Sequence, residues 1–324
     1  MWSTIIGHSR QAEQIKRALA LNRLPHAYLF SGPKGVGKRR VADAVAATIA
    51  CQKPRTPDLE PCGSCPGCRK AASHNHPDLM VVESQGDNIK INQIRQLQAD
   101  LKFHTMEAAA KLAIIDEAHR MTESAANSLL KILEEPSADT HFILVSSLPH
   151  RLPATIRSRC QHISFSPLPE EEISKFISTR NDMPPTKATR IARLAGGSLG
   201  TALMLDPEFI DEVTGRFMVL ARGASSSDVI EAAQDWARQE PERMILIFDL
   251  MASWYRDVLF YQTTGNAGRL AHPQAADAAS HIESSRVMHN LSEIAKARAA
   301  ADGNANKQLM FEHLLFTLVD QKPD

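Results

Sequence analysis

Three uninterrupted apolar runs stand out along the chain: Ala27-Tyr28-Leu29-Phe30, Leu112-Ala113-Ile114-Ile115 behind Lys111, and Phe142-Ile143-Leu144-Val145. Runs that are continuous rather than alternating predict strands covered on both faces, as in a parallel sheet. A shorter strand is expected over 79–83. The segments between them carry helical spacing instead. Residues 9–21 place Ala12, Ile15 and Leu19 on one face, with Pro25 closing the segment, and 41–50 read as a second helix. Ile94, Leu97 and Leu101 mark a third. Over 122–135, Thr122 is a suitable N-cap, Ala126, Leu129, Leu130 and Leu133 form the apolar face, and Pro136 is the stop signal. Alternating strands and helices predict an α/β domain with a parallel sheet.

Beyond residue 166 the strand signal disappears. Pro169 followed by Glu170, Glu171 and Glu172 makes a good first helical turn, and 169–205 read as three short helices. From Asp206 onward the pattern is helical. Met244, Phe248, Met251, Tyr255 and Val258 form one apolar stripe, and Phe311, Leu314, Leu315 and Leu318 another. The stretches 225–227 and 263–268 read as loops. The expected organisation is therefore an α/β domain over 1–166, a small helical domain over 167–206, and a larger helical domain over 207–324.

The first apolar run leads into Gly32-Pro-Lys-Gly35-Val-Gly37-Lys38-Arg39, and a helix follows. That is the strand–loop–helix setting of a P-loop. Glycines let successive backbone N–H groups turn toward phosphates, and Lys38 stands where a charge reaches the outer phosphates. Seven of the eight positions fit G-x-x-x-x-G-K-[ST]. The eighth is Arg39, where a Ser or Thr hydroxyl should hold Mg²⁺, and a guanidinium has no lone pair to offer. The loop thus suits ATP or ADP through its amides and Lys38 while lacking its metal ligand. The second run ends in Asp116-Glu117-Ala-His119, an apolar strand closing on a metal-holding Asp and a water-polarising Glu. These letters also spell a helicase box, but no second nucleotide-binding pattern follows. The third run ends in Ser146-Ser147, suited either to sensing a γ-phosphate or simply to capping the strand.

Between the first helix and the 79–83 strand lies Cys51-x10-Cys62-x2-Cys65-x2-Cys68. Thiolates at two-residue gaps, with a fourth from the end of the preceding helix, suit a structural tetrahedral Zn²⁺. Free thiols in a loop are the plain alternative, and the Cys-Pro ending of a common iron–sulfur spacing is absent. His74 and His76 read as loop residues, and the metal as a staple for an insertion with no core of its own.

Composition narrows the functions. The 324 residues carry 37 Lys+Arg and 37 Asp+Glu, so no global basic field draws the chain to nucleic acid. That balance disfavours a standalone zinc-dependent DNA-binding regulator. The N-terminus shows no signal-peptide pattern, and the apolar stretch 244–260 is interrupted by Asp249, Arg256 and Asp257. A cytoplasmic protein without a membrane span is expected, where five cysteines do not imply disulfides.

The run Leu129-Leu-Lys-Ile-Leu-Glu-Glu-Pro136, then Leu152-Pro153 and Ser158-Arg159-Cys160, resembles the bacterial clamp-loader subunits of the AAA+ class. The resemblance covers residues 1 to about 205 and resumes at Asn306-x2-Leu309-x2-Glu312-x-Leu314-Leu315. It implies a RecA-like AAA+ domain with a zinc module, a helical lid and an all-α collar. It implies a role in DNA replication beside gamma/tau motor subunits, a delta subunit, a sliding clamp and primed DNA. It also gives Arg159 the part of an arginine finger for a neighbour's ATP site. In that family a motor carries a second-sensor arginine where this chain has Gly200, within Gly197-Ser198-Leu199-Gly200. With Arg39 and Gly200 both departing and Arg159 kept, the resemblance implies a non-motor member of the ring with little ATPase activity of its own. An ATP-hydrolysing motor subunit is the alternative.

Overall fold

The computed structural model describes residues 1–53, 56–135, 139–221, 223, 225–301 and 306–319. Pro136, the expected stop of the 122–135 helix, lies outside them. The chain divides into two compact units, one of residues 1–172 with 197–200, the other of residues 173–196 with 201–324.

The first unit is built on a five-stranded parallel sheet. Its elements run α1 (Ser9–Ala20), β1 (Ala27–Ser31), α2 (Lys38–Ala50), α3 (Pro66–Ala72), β2 (Leu79–Val82), α4 (Ile91–Leu101), β3 (Lys111–Ile115), α5 (Glu123–Glu134), β4 (Thr140–Ser146), α6 (Ala154–Arg157) and β5 (Gln161–Ser164). The strand order is β2-β3-β4-β1-β5. Tyr28 pairs with Ile143 on one side and Gln161 on the other, and Leu112 lies between Leu79 and His141. All five residues of β1 and of β3 are buried. Two cores result. One side packs α1 and α2 through Ile15, Val41 and Val45 against Phe30, Ile114 and Val145. The other packs α4 and α5 through Ile94, Leu97 and Leu129 against Leu29, Ala113 and Leu144. Burying each such aliphatic side chain contributes roughly 1.5–3 kcal/mol.

Thr122 caps α5 as expected, its hydroxyl accepting from Ala125 N. Lys111 begins a buried strand, yet its ammonium is satisfied: it donates to the carbonyls of Asp100 and Leu101 at 3.0 and 3.3 Å and also to Phe103, so it caps the C-terminus of α4. The four-cysteine insertion contains α3, and its Leu59 is buried in the core that α1 and α2 line. His76 lies in a loop, as expected, but is buried at 3% exposure, and its Nδ1 accepts from Asp78 N at 3.1 Å. Asp78, itself buried, accepts from the backbone N–H of Met106, Glu107 and Ala108 at 2.9, 2.7 and 2.8 Å.

The second unit is helical. Its elements are α7 (Glu170–Asn181), α8 (Pro185–Leu194), α9 (Leu199–Met204), α10 (Pro207–Ala221), α11 (Ser226–Ala237), α12 (Pro241–Thr264), α13 (Ala275–Ala278), α14 (Ser284–Ala301) and α15 (Lys307–Val319). The first turns of α7 and α9 belong to the first unit. Both expected apolar stripes are buried. They meet at Phe248 and Phe311, whose rings stack at 4.7 Å, while Trp236 approaches Phe311 edge-on at 5.8 Å. The stretch 225–227 is no loop. Ser225 caps α11 by accepting from Asp228 N, and Asp228 accepts from Ser225 N, so the serines begin a helix. Likewise Thr263 and Thr264 complete α12, and 267–269 form a short 3₁₀ turn.

After that turn the backbone is pinned from several sides. Arg190 and Arg193 of α8 donate to the carbonyls of Ala271 and Leu270, both at 3.1 Å. Asp257 accepts from Ala271 N and His272 N, both at 2.8 Å. His272 is fully buried with Nε2 2.6 Å from Ser253 Oγ, and its Nδ1 has no partner among the described residues. Burial, with the charges of Arg190 and Arg256 adding, pushes its pKa down to about 4, against a smaller opposing effect of Asp211. The unfolded chain therefore takes up this proton below its ordinary value of about 6.5 while the folded chain refuses it. Stability should fall as pH drops from about 6.5 to about 4 and then level off, at most about 1.4 kcal/mol per pH unit from this group. In His272→Gln, urea unfolding measured across that range should show a shallower dependence than the parent. Parallel curves would refute the assignment.

Candidate functional site

Because the strands are parallel, the C-terminal ends of β1, β3 and β4 open on one edge, and the loops there carry the polar residues. Gly32, Gly35 and Gly37 all have positive φ, at 145°, 77° and 110°, which lets the loop after β1 curl around the start of α2. Lys38 is the first residue of α2 and Arg39 the second.

Each charge in this cradle is compensated from within the chain. Lys38 Nζ donates to the carbonyls of Gly32 and Pro33, both at 2.6 Å. Burial brings its pKa down to about 8, with Asp116 and Glu117 opposing the shift. Arg39 forms three contacts at 2.9 Å: Nε with Asp43, and Nη1 with both Glu83 and Asp116. The side chains of Arg39 and Asp116 are only 21% and 25% exposed, so this is a partly desolvated cluster. Burial works against the Arg39 charge, but the hydrogen bonds and charges of Asp43, Glu83 and Asp116 outweigh it and hold the guanidinium more firmly protonated. The other carboxylate oxygen of Asp116 accepts from Glu117 N at 2.9 Å. Glu117 has a left-handed backbone and pairs with Arg120 at 3.1 Å and Lys34 at 3.9 Å. The structure thus brings Gly32, Gly35, Gly37, Lys38, Arg39, Asp116 and Glu117 together, with a guanidinium lying among the carboxylates that a divalent cation would need.

Four further contacts lie beside it. Gly200 N donates to Gly35 O at 2.9 Å. His8 Nε2 lies 3.0 Å from Val36 O. Ser146 Oγ, fully buried at the end of β4, sits 3.3 Å from His119 Nδ1 and accepts from Leu148 N at 3.2 Å. Sequence reading missed Asp43, Glu83, His8 and His119. Asp43 stands four residues after Arg39 on one helix face and could have been found from that spacing. Glu83 reaches the site only through the sheet order.

Arg159 makes its contacts elsewhere. It follows α6, donates from Nη1 to Thr155 O at 3.0 Å, and pairs through Nη2 with Glu134 at 2.6 Å. Its side chain is 36% exposed.

Cys51, Cys62, Cys65 and Cys68 form a second cluster at the end of α2, with all four Sγ atoms within 4.8 Å of one another. Cys62 Sγ and Cys68 Sγ are 3.9 Å apart, far beyond a disulfide and close to the roughly 3.8 Å edge of a tetrahedron with 2.3 Å metal–sulfur bonds. The sulfurs also accept N–H groups: Cys51 from Cys62 N, Cys62 from Cys65 N and Cys65 from Cys68 N, at 3.5, 3.4 and 3.4 Å. Backbone donors favour the thiolate at Cys62 and Cys65, whereas burial pushes the Cys68 thiol up to about 12. The cluster can hold a metal ion. Gly67 makes it possible, because a Cβ there would collide with Ala50 O at the end of α2.

A parallel sheet in this order, with a glycine loop after β1 and an acidic pair after β3, defines a P-loop protein of the AAA+ class, here with arginine in the metal-ligand position. The family model described as "DNA polymerase III, delta subunit" matches residues 7–169. The chain is 33% identical over 319 residues to the DNA polymerase III delta-prime subunit of Bacillus subtilis, covering 95% of each chain. It is 30% identical over 284 residues to the tau subunit of the same organism, covering 80% of this chain and 50% of that one. Among solved structures, a DNA polymerase III gamma subunit-related protein of Thermotoga maritima aligns over 96% of this chain and 99% of its own, at 16% identity and a TM-score of 0.48. The chain belongs to the delta-prime clamp-loader family of DNA polymerase III subunits. Among its described residues no helix is long and apolar enough to cross a membrane.

The carboxylate cluster around Arg39 is testable by stability alone. Arg39→Met keeps the aliphatic stem and leaves Asp116, Asp43 and Glu83 without their shared cation. It should cost about 1–3 kcal/mol in urea unfolding. Asp43→Asn, which removes one of three partners, should cost less. Equal, negligible losses would show that the guanidinium has no structural role.

Proposed function

We propose that this chain is the non-motor delta-prime subunit of a DNA polymerase III clamp loader. It closes a ring with gamma/tau motor subunits and a delta subunit, and the ring places a sliding clamp on primed DNA in the cytoplasm. The observation that carries this reading is Arg39 bound to Asp116, Glu83 and Asp43. Phosphoryl transfer needs a metal ion and positive charge at the phosphates, and here the metal-ligand position is a cation committed to the acidic residues. We divide the chain into a RecA-like AAA+ domain (1–166), a lid (167–206) and a collar (207–324), the last serving assembly.

In this reading Arg159 acts on a neighbour. It is partly exposed and held by Glu134 and Thr155 O, away from its own phosphate loop, with guanidinium donors left over. Presented to an adjacent motor's γ-phosphate, it would offset charge that develops in the transition state. Fingers of this type contribute roughly 10³–10⁵ in rate in GTPases. In a reconstituted complex in which only the adjacent motor is catalytically competent, Arg159→Ala should lower single-turnover hydrolysis by about a hundredfold or more. Its own folding stability should change by no more than about 0.5 kcal/mol. Arg159→Lys should rescue poorly, since lysine lacks the planar fork. Unchanged hydrolysis would make Arg159 an ordinary loop arginine. Steady-state ATP turnover by the isolated chain, abolished by Lys38→Ala, would replace the whole reading with that of a motor subunit.

The metal at the four cysteines is proposed to be zinc in a structural role. Four sulfurs leave no open position for water, so the site has no part in phosphate chemistry. Purified protein should contain about one equivalent of zinc with Zn–S distances of about 2.3 Å by X-ray absorption. Chelation should lower its melting temperature. Less than about half an equivalent after chelator-free purification would count against zinc.

A further inference from the structure

The phosphate loop is fastened at nearly every carbonyl it offers. Gly32 O and Pro33 O accept from Lys38 Nζ, Gly35 O accepts from Gly200 N, and Val36 O faces His8 Nε2. The contact with Gly200 differs in kind from the others, because it joins two backbones directly. A Cβ on Gly200 would lie 3.0 Å from Gly35 Cα, and a Cβ on Gly35 would collide with Ser198 Oγ. Gly35 moreover has φ +77°, a conformation side chains rarely adopt. The two segments thus meet this closely because both positions are glycine. The neighbouring residue joins in: a Cβ on Gly197, at φ +85°, would collide with Pro167 Cβ and lie 3.1 Å from Leu168 N, while Gly197 O accepts from Leu168 N at 2.9 Å. Segment 197–200 is thus seated on the loop at one end and on 167–168 at the other, all within the first unit.

We infer that the Gly35–Gly200 seam is a latch that keeps the phosphate loop closed to nucleotides. Gly200 is then more than a lost sensor arginine: its missing side chain lets residues 197–200 occupy the approach to the loop, while Lys38 stays on the loop carbonyls instead of reaching outward. A nucleotide would have to break the Gly200–Gly35 hydrogen bond and pull Lys38 from two acceptors before the loop could grip a phosphate. The inference deepens the non-motor reading and rests on it, but it concerns the isolated chain.

The test uses the full chain, with hydrogen exchange of peptides covering 32–39 and 197–201 as one readout and binding of a fluorescent ADP analogue without metal as the other. The parent should show protected amides in both segments and no ADP binding at millimolar concentration. Gly200→Ala, which adds only a methyl group at the seam, should speed exchange in both segments by about tenfold or more and make ADP binding measurable. Exchange and binding that remain as in the parent would overturn the latch, as would a variant that loosens yet still refuses ADP. Should Gly200→Ala fail to fold, the parent alone decides. No change in exchange on adding millimolar ADP supports the latch, and protection of 32–39 by ADP overturns it. None of these outcomes depends on ring assembly, so failure of the latch and failure of the clamp-loader reading remain distinguishable.

Discussion

A parallel sheet sends the C-terminal ends of its strands to one edge, and in this chain that edge collects acidic residues: Glu83 just after β2, Asp116 and Glu117 just after β3. Carboxylates brought together at partial burial repel one another unless a cation lies among them. The chain supplies one of its own. Arg39 reaches back from the first turn of α2 and binds the two neighbouring strand ends at once. The loop between β1 and α2 is held by this bridge at its helical end and by Lys38 along its carbonyls. Much else at that edge follows, including the paired, left-handed Glu117 and the hydrogen-bonded carboxylate of Asp116.

The helical unit meets a related constraint with different means. The stretch 270–272 is buried, so its polar backbone needs partners within the chain. It is satisfied by arginines from α8 and by Asp257. Burial raises the Asp257 pKa while the two backbone N–H groups it accepts act in the opposite direction. In both units, then, charged side chains serve the backbone and one another within the chain.

The central strands were legible because each of β1, β3 and β4 carries a run of four buried apolar residues, 27–30, 112–115 and 142–145. β5 went unseen, since it is short and only Ile163 of its four residues is buried. The helix α3 was hidden because it is short, and Gly67 and Cys68, with Cys65 as its N-cap, mask its pattern. The serines at 225–227 suggested a loop for the same chemical reason that they cap a helix, namely hydroxyls competing for backbone amides. At the candidate site, Lys38, Arg39 and Asp116 were found from spacing alone. Glu83, His8 and Gly200's contact with Gly35 were not, because each depends on which distant segments the sheet brings side by side. The identity of Glu134 as the partner of Arg159 belongs to the same class, a pairing across 25 residues that no local pattern encodes.

The cage around Arg39 also bears on how such a chain can change over evolutionary time. A single substitution at position 39 would restore a hydroxyl, yet it would also strip three carboxylates of their cation. Any such change therefore lowers stability before it can alter chemistry. A side chain at position 200 meets a backbone contact that even a single methyl group would crowd. Arg39 and Gly200 are thus structural commitments, each tied to charge pairing or packing that the rest of this edge uses. Substitutions are expected to accumulate around these two positions more readily than at them.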